Sequence, residues 1–152
     1  MIAWRICKAR RAASALSGKG AADFPGRWNM HGQFVAYLAE SRALASLEVL
    51  AHVEDRSLLN DVEWVAIPIM FDDALLEELQ PIPDGWDTVP SSPTAAKAGS
   101  DWYLSGRSAV LRVPSVVVRG EYNYLVNASH PDASEVVAGA ATPFSFDPRI
   151  AH

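Results

Sequence analysis

The stretch Gly26–Glu48, GRWNMHGQFVAYLAESRALASLE, holds the clearest strand-to-helix unit in the chain. Within it, QFVAYLA has the β-branched and aromatic composition of a short strand. SRALASLEVLAHVE, which runs on past Glu48, has helical composition with Ser41 placed to cap its start. At about 100° per residue, Ala43, Leu44, Leu47, Leu50 and Ala51 fall on one apolar stripe. Glu48 lies on the flank of that stripe, one turn after Leu44. The same stretch sets Arg27 between Gly26 and Trp28 and Tyr37 among apolar strand residues, so three chemically capable side chains share one short unit.

Towards the N-terminus, IAWRIC alternates as a first strand, with Ile2, Trp4 and Ile6 on one face and Ala3, Arg5 and Cys7 on the other. Lys8 to Pro25 reads as an Ala-rich helical turn followed by a mobile SGKG loop, which lacks the spacing of a phosphate loop. Towards the C-terminus, DVEWVAIPIM is a third strand with Pro68 marking an edge or a bulge. DDALLEELQ is a short helix, and PIPDGWDTVPSSP a long surface connection. TAAKAGSDWYLSGRS is a helix weakened by Gly99, placed to fold over a cleft. AVLRVPSVVVRGEYNYLVN holds two β-rich runs, the first interrupted at Pro114 and Ser115, with RGEYN as the turn. FSFDPRI adds a last edge strand. Without repeats, heptads or a second core, the pattern predicts a single α+β domain with a mainly antiparallel or mixed sheet.

A chain of 152 residues fits one core. Its 49% apolar and 20% charged residues, with five Trp, are the balance of a folded protein. A formal charge of −5 leaves no broad basic field for a phosphate backbone, so direct nucleic-acid binding is disfavoured. Cys7 is the single cysteine and fits a reducing compartment, read as a buried strand residue. With no leader pattern and no run of about 18 apolar residues, the sequence predicts a cytoplasmic protein without a membrane span.

His31, His52, His130 and His152 lie far apart with no ligand spacing, so no metal is expected. Ser129 and His130 are adjacent, but a serine hydrolase needs a base from another segment and a strained elbow, and His130 before Pro131 reads as a turn residue. Arg27, Tyr37 and Glu48 suit different chemistry. A guanidinium fork matches phosphate oxygens, a tyrosine face stacks on a heteroaromatic ring, and a desolvated carboxylate stabilises a developing cation. Those are the parts needed to hold a nicotinamide dinucleotide and break its glycosidic bond, which passes through an oxocarbenium-like state. Each residue also has an ordinary reading: Arg27 paired on the surface, Tyr37 packed in the core, Glu48 solvated at a helix edge.

Four ordered blocks decide between these readings: WRI near the N-terminus, GRWN some twenty residues later, YLAES…LE after that, and VPSVVV…NYLVNASHPD towards the C-terminus. Together they resemble the RES domain, the family named for its Arg, Glu and Ser that supplies the toxins of RES–Xre toxin–antitoxin systems. The resemblance covers nearly the whole chain and implies one RES domain over residues 1–152. It implies an ADP-ribosyltransferase-like fold, a split, twisted sheet with flanking helices around an NAD cleft, and it implies growth arrest by NAD hydrolysis or phosphorolysis. By position, Arg27 is the Arg of the name and Glu48 the Glu, both catalytic. Arg5, Arg27, Tyr37, Ser115 and Asn127 are the implied NAD-binding set, with Ser115 the Ser of the name. NAD is implied as substrate, with no metal. The chain departs from the family pattern at Ala128, where a Pro often follows the Asn.

The implied partner is an Xre-like antitoxin whose helix-turn-helix domain supplies the DNA contact that this acidic chain lacks, and which covers the cleft. Two rival functions use the same residues: an ADP-ribosyltransferase that modifies a protein, and a catalytically silent module that only binds its antitoxin.

Overall fold

The alternation of IAWRIC becomes β1, Ile2–Lys8, and QFVAYLA narrows to β2, Val35–Ala39. The computed structural model describes residues 1–151, so His152 lies outside the described residues. The remaining strands are β3 (Trp64–Met70), β4 (Leu76–Glu78), β5 (Val110–Pro114), β6 (Tyr122–Asn127), β7 (Val137–Ala138) and β8 (Thr142–Phe144). Among the described residues three α-helices accompany them: α1 (Lys19–Asp23), α2 (Arg42–His52) and α3 (Pro93–Ser105). The sheet runs β4-β5-β6-β2-β1-β3-β7, with β8 also pairing β3, and every pair is antiparallel except β4 with β5. This is the α+β class, with a mixed sheet.

The sheet divides at its centre. β1 pairs β3 along seven residues, from Ile2 opposite Met70 to Lys8 opposite Trp64, and β2 pairs β6 along five. Between β1 and β2 only Trp4 and Ala39 stand opposite each other. Trp4 and Ala39 therefore share a face, and alternation sends Arg5 to the other one. From there the Arg5 Nη1 donates to the Tyr37 carbonyl at 2.9 Å, bridging the strands where their ladder has ended.

Helices α2 and α3 cover one face. On it, Trp28, Val35, Trp102, Leu111, Val113 and Leu125 form one cluster, and Ile6, Ala39, Leu44, Ala45 and Ala66 another. Ala3, Cys7, Ala36, Leu38, Ile67, Ile69 and Val126 fill the opposite face beneath the 3₁₀ turn Ala9–Ser14. Gly99 has a packing reason: a Cβ there would lie 1.6 Å from the Trp28 carbonyl oxygen, so only glycine lets α3 approach this closely.

Several local expectations change. DDALLEELQ is not a helix: Asp72 caps a 3₁₀ turn over Asp73–Leu75, and Leu76–Glu78 then pairs with the open edge of β5. SGKG is not simply a loop, since α1 starts at Lys19. The turn between β5 and β6 starts earlier than RGEYN, at Ser115, and Val116–Val118 lie outside both strands. Pro68 marks a bulge, as expected: β3 pairs β8 up to Ala66 opposite Thr142 and β7 from Ile69 opposite Ala138, so the partner segment carries one residue more than β3 there. Pro68, which has no N–H to donate, accepts from the Gly139 N–H at 2.7 Å. The last strand is Thr142–Phe144, a little before the predicted FSFDPRI.

Candidate active site

Two residues 67 positions apart meet between α2 and the turn after β5. α2 is capped by Ser41, whose side chain accepts from the Leu44 N–H, and it packs on β1 and β2. Leu44, Ala45 and Leu50 are buried, whereas Leu47 is 40% exposed and Ala43 and Ala51 face solvent. The buried face is thus rotated from the predicted stripe towards Ala45 and Glu48, and the Glu48 carboxylate points inward to the turn after β5. There Ser115, 1% exposed, donates from Oγ to Glu48 Oε1 at 3.1 Å. Ser115 Oγ itself accepts from the Val117 and Val118 N–H groups at 3.1 Å each. With its acceptor side occupied by backbone, the hydroxyl has one direction left for its proton, towards the carboxylate.

Arg27 is placed by the turn that carries it. Asn29, 1% exposed, accepts from the Gly26 N–H at Oδ1 and donates from Nδ2 to the Ala21 and Met30 carbonyls. Gln33 extends this mesh to Ser100 on α3, at 2.7 Å. From the fixed turn, Arg27 Nη1 donates to the carbonyls of Trp86 and Thr88, at 2.9 and 2.7 Å. The donors on Nε and Nη2 take no part in these bonds.

Tyr37 shares the face of Ala39 and supports the same turn. Its hydroxyl donates to Asn29 Oδ1 at 2.7 Å and accepts from the Trp28 N–H at 3.1 Å. A Cβ at Gly26 would lie 2.8 Å from the Tyr37 ring, so the glycine of GRWN is there because the ring passes beneath it. Burial pushes the Tyr37 phenol well above its ordinary range, and the phenol stays neutral.

Arg5 and Asn127 are used elsewhere. Arg5 lies on the Cys7 face, its Nε buried without a hydrogen-bond partner, and burial lowers its guanidinium below the ordinary value. Asn127, at the end of β6 that pairs Val35, is 3% exposed; it donates to the Tyr103 carbonyl and accepts from the Ser129 N–H. The structure thus joins Glu48 with Ser115, holds the Arg27 turn through the Tyr37 hydroxyl, ties Arg5 to the Tyr37 carbonyl from the opposite face, and leaves Asn127 outside these contacts. Ala128 donates its N–H to the Phe34 carbonyl at 3.0 Å, a bond that a proline there would lack. His130 is a turn residue whose ring meets the Gly106 carbonyl and the Asp132 N–H. Among the described residues no His, Cys, Asp and Glu cluster suits a metal ion, and no helix is long and apolar enough to cross a membrane.

Three residues that sequence reading does not single out stand beside Arg27. Trp86 stacks on Trp28 with ring centroids 6.0 Å apart, Asp87 pairs with Arg119 at 2.7 Å, and the Arg119 guanidinium lies over the Trp86 ring. Their only sequence signal is an aromatic residue in a Pro- and Gly-rich connection.

Comparison with known proteins agrees with this architecture. Residues 2–147 match the RES domain, and the chain belongs to that family. A Sphingobium protein named Prs ADP-ribosylating toxin is 40% identical over 153 residues, spanning 97% of this chain and 94% of its own length. A Yersinia enterocolitica protein named Toxin Res is 36% identical, spanning 99% of both. Among solved structures, a chain of the M. tuberculosis MbcT–MbcA toxin–antitoxin complex superposes with a TM-score of 0.72, at 18% identity, over 95% of this chain and 84% of that one. At that identity the likeness is one of fold.

Proposed function

We propose that this RES-family chain is the toxin of a toxin–antitoxin system and that it cleaves the nicotinamide glycosidic bond of NAD. The observation that carries the reading is the Ser115–Glu48 hydrogen bond, which fixes a carboxylate of α2 against the turn after β5. In this mechanism the ribose of NAD lies against Glu48. As the bond to nicotinamide lengthens, positive charge grows on the ribose, and the carboxylate stabilises it in the transition state more than in the ground state. Glu48 then orients water or phosphate towards the anomeric carbon. Arg27 grips the diphosphate with the donors that the Trp86 and Thr88 carbonyls do not use. Tyr37 holds the Arg27 turn through its hydroxyl. Arg5 and Asn127 act at a distance, Arg5 by fixing the Tyr37 carbonyl at the split and Asn127 by fixing the end of β6.

A second acceptor, a protein side chain, is favoured by the Sphingobium relative's name, and the same carboxylate would serve it. The proposed partner is an Xre-like antitoxin that covers the cleft and carries the DNA contact; the negative charge of this chain and the fold it shares with a toxin–antitoxin complex support that division. Chromatography of NAD incubated with the purified chain, with and without inorganic phosphate, tests the reaction. ADP-ribose or its 1″-phosphate together with nicotinamide supports cleavage. Intact NAD in both buffers, with labelled ADP-ribose found on a protein, would assign the chain to the transferases instead.

A further inference from the structure

Residues 81–90 form a strap between β4 and α3, tethered by two arginines and by the Ser92 hydroxyl, which donates to the Gly85 carbonyl at 2.9 Å. Arg27 Nη1 holds the carbonyls of Trp86 and Thr88, the residues on either side of Asp87. Arg119, in the turn that begins at Ser115, donates to Asp87 Oδ2 at 2.7 Å and lies over the Trp86 ring. Asp87 is thus an anion paired with Arg119 whose backbone neighbours are held by Arg27, the proposed diphosphate ligand. The Arg119 hydrogen bond, with a further contribution from the charge of Arg27, holds its carboxyl below the usual carboxylate range.

We propose that Asp87 is a built-in competitor for the diphosphate: its carboxylate occupies the anion position on Arg119, beside the backbone that Arg27 holds, and a diphosphate displaces it and takes over Arg119. The proposal rests on the reading of Arg27 as the diphosphate residue and adds Arg119 to the binding set. A fixed structural latch would be buried, whereas the Arg119 and Asp87 side chains are 64% and 38% exposed. Such a pair adds little to stability and exchanges readily for an equivalent one. The two Arg27 bonds and the Trp86–Trp28 stack hold the strap backbone, so the displacement asks only the Asp87 side chain to turn away from Arg119. A phosphate presents Arg119 with the same paired oxygens as a carboxylate, with more charge.

ADP, which has the diphosphate but no bond to cleave, is the probe, and adenosine is the control without phosphate. Calorimetric titration of Asp87→Asn is compared with the unsubstituted chain and with Asp84→Asn, which removes an equal charge from an exposed residue of the same strap. The expected result is ADP binding roughly three- to tenfold tighter for Asp87→Asn. Asp84→Asn should change little by comparison, adenosine affinity should be unaltered throughout, and Arg119→Gln should weaken ADP. ADP binding to Asp87→Asn no tighter than to Asp84→Asn overturns the proposal, and so does an Asp87→Asn chain that loses its fold, since the pair would then be structural. Nicotinamide release by the unsubstituted chain is assayed separately. If it is absent while Asp87→Asn still tightens ADP, the cleavage reading falls and the competitor stands.

Discussion

Ser115 Oγ lies 3.1 Å from Glu48 Oε1 and is simultaneously the acceptor for two backbone N–H groups of its own turn. The turn therefore orients the hydroxyl, and the hydroxyl orients the carboxylate. This coupling makes Ser115 a positioning residue with a separable structural share.

Ser115→Ala removes both shares. Loss of the acceptor for the Val117 and Val118 N–H groups is expected to cost about 1–3 kcal/mol of stability. Freeing the Glu48 carboxylate should lower kcat for NAD cleavage about 10- to 100-fold with a smaller change in KM. Urea unfolding and steady-state kinetics on the same preparation check the two parts. A kcat loss that Ser115→Thr recovers points to the hydroxyl rather than to packing.

Tyr37 makes a prediction about pH. Its phenol is raised in the folded state, so the folded protein resists its ionisation while the unfolded chain ionises near about pH 10. Stability from this group is present below that unfolded value and is lost as pH rises above it. Unfolding free energy measured between pH 8 and 11 should fall more steeply for the unsubstituted chain than for Tyr37→Phe. At pH 7 the order reverses in origin: Tyr37→Phe should be about 1–2 kcal/mol less stable, because Asn29 and the Trp28 N–H lose their partner.

Gly99→Ala should destabilise the protein by about 1–3 kcal/mol or more, since its methyl group meets the Trp28 carbonyl oxygen rather than a yielding side chain. An isolated helix would gain from the same change. A thermal melt distinguishes the two, and a raised melting temperature would refute the close approach of α3 to the Arg27 turn.

The strand-to-helix unit was legible because its signals are local: strand composition in residues 35–39 and a Ser cap before an apolar helix. DDALLEELQ misleads for the opposite reason. Its helical composition yields to a tertiary demand, the open edge of β5, which Leu76–Glu78 satisfy. The helix stripe was right in kind and wrong in angle, because α2 packs where β1 and β2 diverge and so buries Ala45 and turns Glu48 inward while Leu47 remains exposed. Glu48 and Ser115 were recognisable as family positions, but no spacing reveals a contact across 67 residues. Arg5 illustrates the converse. Strand alternation places it on the Cys7 face, away from the Tyr37 side chain, and this follows from the register of Trp4 with Ala39, which sequence alone does not supply. Arg119 and Asp87 stand in separate connections, and only the folded chain pairs them.

The most direct test of the account is the rate of nicotinamide release from NAD by the Glu48→Gln chain beside the unsubstituted one. Gln keeps the shape and an acceptor for the Ser115 hydroxyl but removes the charge that stabilises the ribosyl cation. The account predicts a folded protein whose kcat falls by about 10²–10⁴-fold. A Glu48→Gln chain that releases nicotinamide at the unsubstituted rate would contradict it.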